Sequence, residues 1–331
     1  MTEPSTTAPD RPLTAPDRPL DVAVIIPAFN AGHYLDQTLA SVAGQTRAPA
    51  VVVVADDGST DDTAERARRW QDRLPVEVVR LSRNVGPGPA RHRAILATDT
   101  RVLAMLDADD LWFPDHLETM TAAYERAPGL VSAREFAWIP GRGIDLARRR
   151  ARPPIPTDPE DQLAALLQHN YVSFGFFPRT LYERVGGFRS FLGTEDWDLW
   201  IRMLRSGARL TEASHPTALH RVRSGSLSVD PAPIVEHGIA VLTAAAAEAS
   251  SPSERAAAER GLRALRARKR YHDVWALAGD GHPWRARLAA LQGLRGGGLK
   301  LTLGLAAMAV APRTSLQLDR ATRRYRVFTV E

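Results

Sequence analysis

Three carboxylates occupy four positions of "LDADDLW", at Asp107, Asp109 and Asp110, directly after the apolar run "VLAM". On an extended chain residues two apart face the same way, so Asp107 and Asp109 project together while Asp110 points elsewhere. Two carboxylates about 5 Å apart repel by roughly 3 kcal/mol at an effective dielectric near 20, and a bridging divalent cation reverses that cost. Mg²⁺ or Mn²⁺, held by one or two carboxylates and by substrate phosphates, is the natural occupant. A solvated acidic turn has the same local pattern, so the chemistry depends on what else stands nearby.

Two more acidic groups supply that context. In "ADDGSTDD" the residues Asp57, Gly58 and Ser59 form a turn after the run "VVVV", and a carboxylate there can accept a nucleobase N–H or a ribose hydroxyl. A helix start with Ser59 or Thr60 as N-cap accounts for Asp61 and Asp62, but not for Asp56 and Asp57. In "TEDWDLWIRML" the residues Trp197, Trp200, Ile201 and Leu204 fall at helical spacing, with Thr194 placed to cap the helix. Dipole complementarity accounts for Asp198 and can account for Glu195 in the first turn. Asp196 lies off the apolar stripe, at the rim of the helix, where an acceptor molecule can reach it.

The elements that must position these groups follow from periodicity. "VAVIIP", "VVVV", "VEVV" and "VLAML" are continuous aliphatic strands separated by amphipathic stretches, the first of which carries Leu35, Leu39 and Val42. This predicts an α/β fold with a mostly parallel sheet covered on both faces. Ligands of such sheets bind beyond the carboxyl ends of the strands, which here read "PAFN", "ADDGST", "LSRN" and "DADD". Residues 1–20, which contain the heptapeptide "TAPDRPL" twice, are expected to be a disordered leader. The expected divisions after it are 21–127, 128–230 and a helical C-terminal appendage at 231–331 rich in Ala, Leu and Arg.

Composition bounds the chemistry. The 331 residues include no cysteine, so disulfides and thiolate metal sites are excluded and any metal must sit on oxygen or imidazole. Neither a signal peptide nor a membrane-spanning run is legible, which predicts a cytoplasmic protein. Net charge is +5, but residues 251–331 hold 16 Lys and Arg against 6 Asp and Glu, or +10, leaving −5 for the first 250. The basic character belongs to the tail, so no nucleic-acid partner is expected. Within the tail "LKLTLGLAAMAVAP" is too short to span a bilayer and is expected to be a packed helix, with peripheral contact to the inner face of an anionic membrane as the alternative.

The ordered stretches "VAVIIPAFNAGHYLDQTLASVAGQT", "VVVVADDGSTDDT", "LSRNVGPGPARHRAI", "LDADDLWFPDHLE" and "GTEDWDLWIRMLRSG" resemble the family 2 glycosyltransferases over residues 20 to 228. The resemblance implies a GT-A fold, with a Rossmann-like sheet of the predicted kind. It implies inverting transfer of a hexosyl or related sugar from a nucleotide-sugar donor to a glycan, lipid-linked or small-molecule acceptor. By the match, Pro27, Phe29 and Asn30 wall the nucleotide, Asp57 contacts the base, and Arg91 lies near the diphosphate or ribose. Asp109 binds Mn²⁺ or Mg²⁺, Asp107 reaches ribose or metal, and Asp196 is the general base, with Glu195 and Asp110 as neighbouring candidates.

The sequence also departs from the family pattern. "ARHRA" puts His92 and Ala94 where many relatives have Asn and Gly, and "HRVRSGSLS" has His220 for Tyr, retains Arg221 and puts Arg223 for His. An imidazole ligand at that position is therefore missing, although Arg223 can bind the diphosphate directly, and the resemblance implies that the retained Arg221 is donor-binding. His220 is a candidate ligand but is expected to be structural. "NVGPGPA" lacks the Lys of a P-loop and reads as a turn before a helix. "SFGFF", Trp112, Trp197 and Trp200 are candidates for sugar stacking, with core packing expected. Two alternative functions remain at this stage: a nucleotidyltransferase, for which "PAFNAGHYLD" supplies no basic Gly-rich triphosphate loop, and a non-catalytic nucleotide-sugar or glycan binder, against which "TED" stands.

Overall fold

The computed structural model describes residues 20–141, 143–145, 155–222, 231–280, 282–293 and 299–310. The leader up to residue 19, most of the Arg- and Pro-rich linker, Arg223 and the last 21 residues lie outside them. The chain runs β1 (Val22–Ala28), α1 (Gly32–Ala43), β2 (Val51–Asp56), α2 (Thr63–Arg68), β3 (Val76–Arg80), α3 (Pro87–Leu96) and β4 (Val102–Met105). It continues with β5 (Leu111–Trp112), α4 (His116–Arg126), β6 (Leu130–Ile139), β7 (Gly143–Asp145), α5 (Pro159–Leu166), β8 (Phe176–Pro178), α6 (Arg179–Arg184), α7 (Glu195–Arg205) and β9 (Leu210–Arg221). Four helices close it: α8 (Pro231–Ala247), α9 (Pro252–Gly279), α10 (Pro283–Gly293) and α11 (Leu299–Val310).

The sheet is mixed, in the order β3-β2-β1-β4-β8-β6-β9-β5, with β7 paired to β6. Its first four strands are parallel, and β8 enters antiparallel beside β4. The chain leaves β1 toward β2 and β3, then returns to place β4 on the other side of β1. A switch of direction of this kind opens a crevice at the carboxyl ends of the strands. Both faces of β1 are buried, as its unbroken aliphatic sequence requires. Val24 and Ile26 belong to the core that contains Leu35, Leu39 and Val42 of α1 and Leu117 and Met120 of α4. Ala23 and Ile25 belong to the core that contains Ala90, Ala94 and Ile95 of α3 and the buried face of α7.

The C-terminal helices do not form one separate body. Val241, Leu242 and Ala245 of α8 and Ala257, Ala258 and Leu262 of α9 share the core that holds α7. The far end of α9 packs instead with α10 and α11 around Val274, Ala286, Ala290, Leu305 and Met308. The apolar stretch expected to be a packed helix is therefore one, as α11. Among the described residues no helix is long and apolar enough to cross a membrane.

Helix α9 approaches its neighbours closely at Gly261. A Cβ there would lie 2.2 Å from the Leu167 carbonyl oxygen and 2.8 Å from Leu242 Cδ1. Gly261→Ala should therefore lower stability by about 1–3 kcal/mol in denaturant unfolding, because backbone must shift to admit one methyl. Gly44→Ala serves as the control: its Cβ would meet nothing closer than 3.5 Å at an ordinary φ of −83°, so its effect should lie between neutral and about 1 kcal/mol stabilising.

Candidate active site

The acidic groups meet where the sequence places them, at the strand ends, but the local geometry differs from the extended reading. Strand β4 stops at Met105, and Asp107–Asp110 fold into a turn in which the Asp110 N–H donates to the Asp107 carbonyl at 3.1 Å. Alternation along a strand therefore does not set the directions of Asp107 and Asp109. The turn is fixed from two sides. The Thr38 hydroxyl lies 2.8 Å from the Ala108 carbonyl and 2.9 Å from that of Asp110. From β9, the Arg221 N–H donates to Asp110 Oδ1 at 2.7 Å and its Nε to the Asp109 carbonyl at 2.5 Å.

Arg221 is itself committed to this work. Its Nη2 donates to Gln37 Oε1 at 2.8 Å, and the guanidinium lies over Trp138 at 4.2 Å and Tyr34 at 5.0 Å from the ring centres. His220 Nδ1 lies 3.2 Å from Asp110 Oδ2. Burial, with the charges of Asp107 and Asp109, pushes the Asp110 carboxyl up to about 6, against the opposing pull of His220. Asp110, His220 and Arg221 thus join the acidic turn to β9, and Arg223 lies outside the described residues.

Arg91 links this turn to α7. It is buried, and its Nη2 donates to Asp107 Oδ1 while its Nη1 donates to Glu195 Oε1, both at 2.5 Å. The Asp107 side chain remains 49% exposed, whereas that of Glu195 is 4% exposed. Gly88 makes room for the pair, since a Cβ there would sit 2.8 Å from Glu195 Cγ. Burial disfavours the Arg91 charge, but Asp107 and Glu195 outweigh it and hold its pKa above the ordinary value.

Asp196 is partly buried beside this ion pair. Its Oδ1 accepts the Trp197 N–H at 2.7 Å, and its Oδ2 accepts from Asn170 Nδ2 at 3.3 Å. Burial first, then the Glu195 charge, pushes its carboxyl up to about 6, with Arg91 pulling the other way. Such a group is ionised at neutral pH yet basic enough to accept a proton.

The nucleotide-side candidates form a neighbouring cluster. Asn30 sits in the left-handed region at φ 47°, which Asn tolerates better than most residues. Its N–H donates to Ser59 Oγ at 2.9 Å, and its Oδ1 accepts the Thr60 N–H at 2.9 Å. Phe29 is 47% exposed and Pro27 is partly buried at the end of β1. Both Asp57 oxygens accept backbone amides, from Val85 at 2.9 Å and Gly86 at 2.8 Å, so this carboxylate holds the Gly-rich loop. Burial raises its pKa and those two amides oppose the rise.

Several expected local roles are different in the structure. Helix α2 begins at Thr63 with Asp62 at its N-cap, whereas Ser59 and Thr60 lie ahead of it and are bonded to Asn30. Thr194 occupies the N-cap of α7 but makes no capping bond with its side chain. Asp198 is more than a dipole partner: it pairs with Arg202, whose Nη1 and Nη2 also donate to the Val185 and Gly187 carbonyls. Glu195 likewise is the buried counter-ion of Arg91. Trp112, Trp197, Trp200, Phe176 and Phe177, by contrast, pack in the core as expected. Sequence reasoning missed Asn170, whose sequence surroundings carry no motif, and the pairing of Glu195, for which Gly88 was the available signal.

The family Glycosyl transferase family 2 matches residues 23–186. A 98-residue segment is 43% identical to the succinoglycan biosynthesis protein ExoU of Rhizobium meliloti, covering 29% of this chain and 28% of that protein. The segments matching ExoU and the next curated relative span no more than about a third of those relatives' length. Among solved structures, S. aureus TarS in complex with UDP-GlcNAc superposes with a TM-score of 0.59 at 15% identity, covering 94% of this chain and 93% of that one. Mannosyltransferase PcManGT of Pyrobaculum calidifontis, in complex with GDP-Man and Mn²⁺, gives 0.58 at 21% identity, covering 92% and 88%.

Removing one member of a buried ion pair costs more than removing both. Arg91→Met should lower stability by about 3–5 kcal/mol, because Glu195 then stays buried without a counter-ion. Adding Glu195→Met should recover most of that loss. Chemical denaturation of the two variants checks this, and equal losses in both would mean that the pair contributes little.

Proposed function

The chain belongs to glycosyltransferase family 2, and from that premise we propose that it moves a sugar from a nucleoside-diphosphate sugar to an acceptor hydroxyl, inverting the anomeric carbon. The observation that carries this reading is the convergence of Asp107, Arg91, Glu195 and Asp196 beyond the strand ends, with Asp196 held near a pKa of 6. In this reading Asp196 takes the proton of the acceptor hydroxyl as its oxygen attacks the anomeric carbon. Attack comes from the face opposite the leaving diphosphate, so a single displacement inverts the centre. Asn170 and the Trp197 amide hold the carboxylate in position while the proton moves. Arg91 keeps the base close to the donor end by bridging Glu195 to Asp107.

On the donor side, Asp57 and the loop that it holds line the base pocket with Phe29 and Asn30. The complexes of TarS with UDP-GlcNAc and of PcManGT with GDP-Man support this donor class. Among the described residues no group of three or more His, Asp or Glu is arranged to hold a metal by itself. The residues present fit a hard cation whose shell the donor's own phosphates complete: Asp107 is half exposed, Asp109 is partly buried, and thiolates are absent. Asp109, with Asp107, would hold Mn²⁺ or Mg²⁺, which would offset the charge on the departing diphosphate. The name of the succinoglycan relative supports an acceptor in glycan building, with lipid-linked and small-molecule acceptors in the same chemical class.

The test is the pH profile of transfer from radiolabelled nucleotide sugars. The rate should fall about tenfold per pH unit below about 6, as Asp196 becomes protonated, and should level off above it. Asp196→Asn should lose a factor of about 10² to 10⁴ in transfer while retaining donor binding. In Glu195→Gln the midpoint should move down, because a negative neighbour that favours the protonated form has been removed. An Asp196→Asn variant that turns over normally would take Asp196 out of the mechanism.

A further inference from the structure

Helix α10 turns its apolar residues the wrong way for a soluble surface. Its small residues Ala286 and Ala290 are buried against α9 and α11, whereas Trp284, Leu288 and Leu291 are 74%, 62% and 52% exposed. At 3.6 residues per turn the three exposed side chains fall within an arc of about 60°, opposite the buried alanines. Arg287 borders this stripe on one side and Arg285 on the other, and both are exposed. The Arg287 guanidinium lies 5.9 Å from the Trp284 ring centre.

Charge identifies the occupant. Arg285 and Arg287 flank the exposed stripe, and from Gly281 to Leu318 the sequence has no Asp or Glu to offset them. A partner for this face must accept Trp and Leu side chains and carry negative charge around them. We propose that α10 is a membrane-docking helix that seats Trp284, Leu288 and Leu291 at the headgroup boundary of a bilayer containing anionic phospholipid. Trp favours that boundary, and each Arg near an anionic surface adds attraction. The inference is independent of the proposed transfer reaction, because none of these residues belongs to the strand-end site.

The test sediments the full chain with vesicles of phosphatidylcholine alone and with vesicles that also contain phosphatidylglycerol. The native protein should pellet with the anionic vesicles, release at high salt, and stay in solution with the neutral ones. Leu288→Ser with Leu291→Ser should weaken binding at least about tenfold. Arg285→Ala with Arg287→Ala should do so by about tenfold or more, at unchanged melting temperature. Native protein that ignores anionic vesicles, or serine variants that bind like native, would overturn the proposal. Two other results would also overturn it: a serine variant with a lowered melting temperature, meaning that the chain itself covers this face, and a native dimer that the serine variant breaks in the absence of lipid.

Discussion

A buried guanidinium between two carboxylates holds the site together. Arg91 reaches from α3 to Asp107 on one side and to Glu195 on the other, and so ties the turn after β4 to the first turn of α7. A buried cation of this kind must be matched in charge, which is why the two helices approach closely enough to require glycine at position 88. Glu195 then serves two purposes. It neutralises Arg91, and its remaining field helps keep Asp196 near a pKa of 6. Removing either charge alters both the fold at that junction and the proton affinity of its neighbour.

The acidic turn is held in a similar way from the far side of the sheet. Arg221 spends its backbone amide and guanidinium on Asp110, the Asp109 carbonyl and Gln37, with aromatic rings against it. An arginine so occupied acts as a strut. It fixes the backbone from which Asp109 projects, and so constrains the direction of that carboxylate. Asp57 is also a strut, since its two oxygens pin the loop that leads into α3 and thereby Arg91.

How much of this was legible in the sequence differs by level. The parallel half of the sheet was readable because strands buried on both faces must be continuous aliphatic runs, and Val24, Ile25 and Ile26 satisfy that directly. The positions of Asp57, Asp107 and Asp196 followed from strand ends and from one helix start. Their partners did not, because contacts such as Arg91 with Glu195 join residues more than a hundred positions apart and no local periodicity encodes them. Capping differs from the expectation at Ser59 and Thr194 for separate reasons: Ser59 accepts the Asn30 N–H from the loop after β1 and lies ahead of the α2 start at Thr63, whereas the Thr194 hydroxyl stands at the N-cap of α7 without making a bond. The basic tail was visible as charge, but only the structure shows which of its apolar residues turn outward.

The central claim is that these strand ends bind a nucleoside-diphosphate sugar together with a divalent cation. Calorimetric titration of UDP, GDP and their sugars into the native chain and Asp109→Asn, with and without Mn²⁺, tests it most directly. The account predicts that one nucleotide binds, that Mn²⁺ tightens its binding, and that the Mn²⁺ effect disappears in Asp109→Asn. Binding that is absent for every nucleotide, or equally strong in the variant with Mn²⁺, would contradict it.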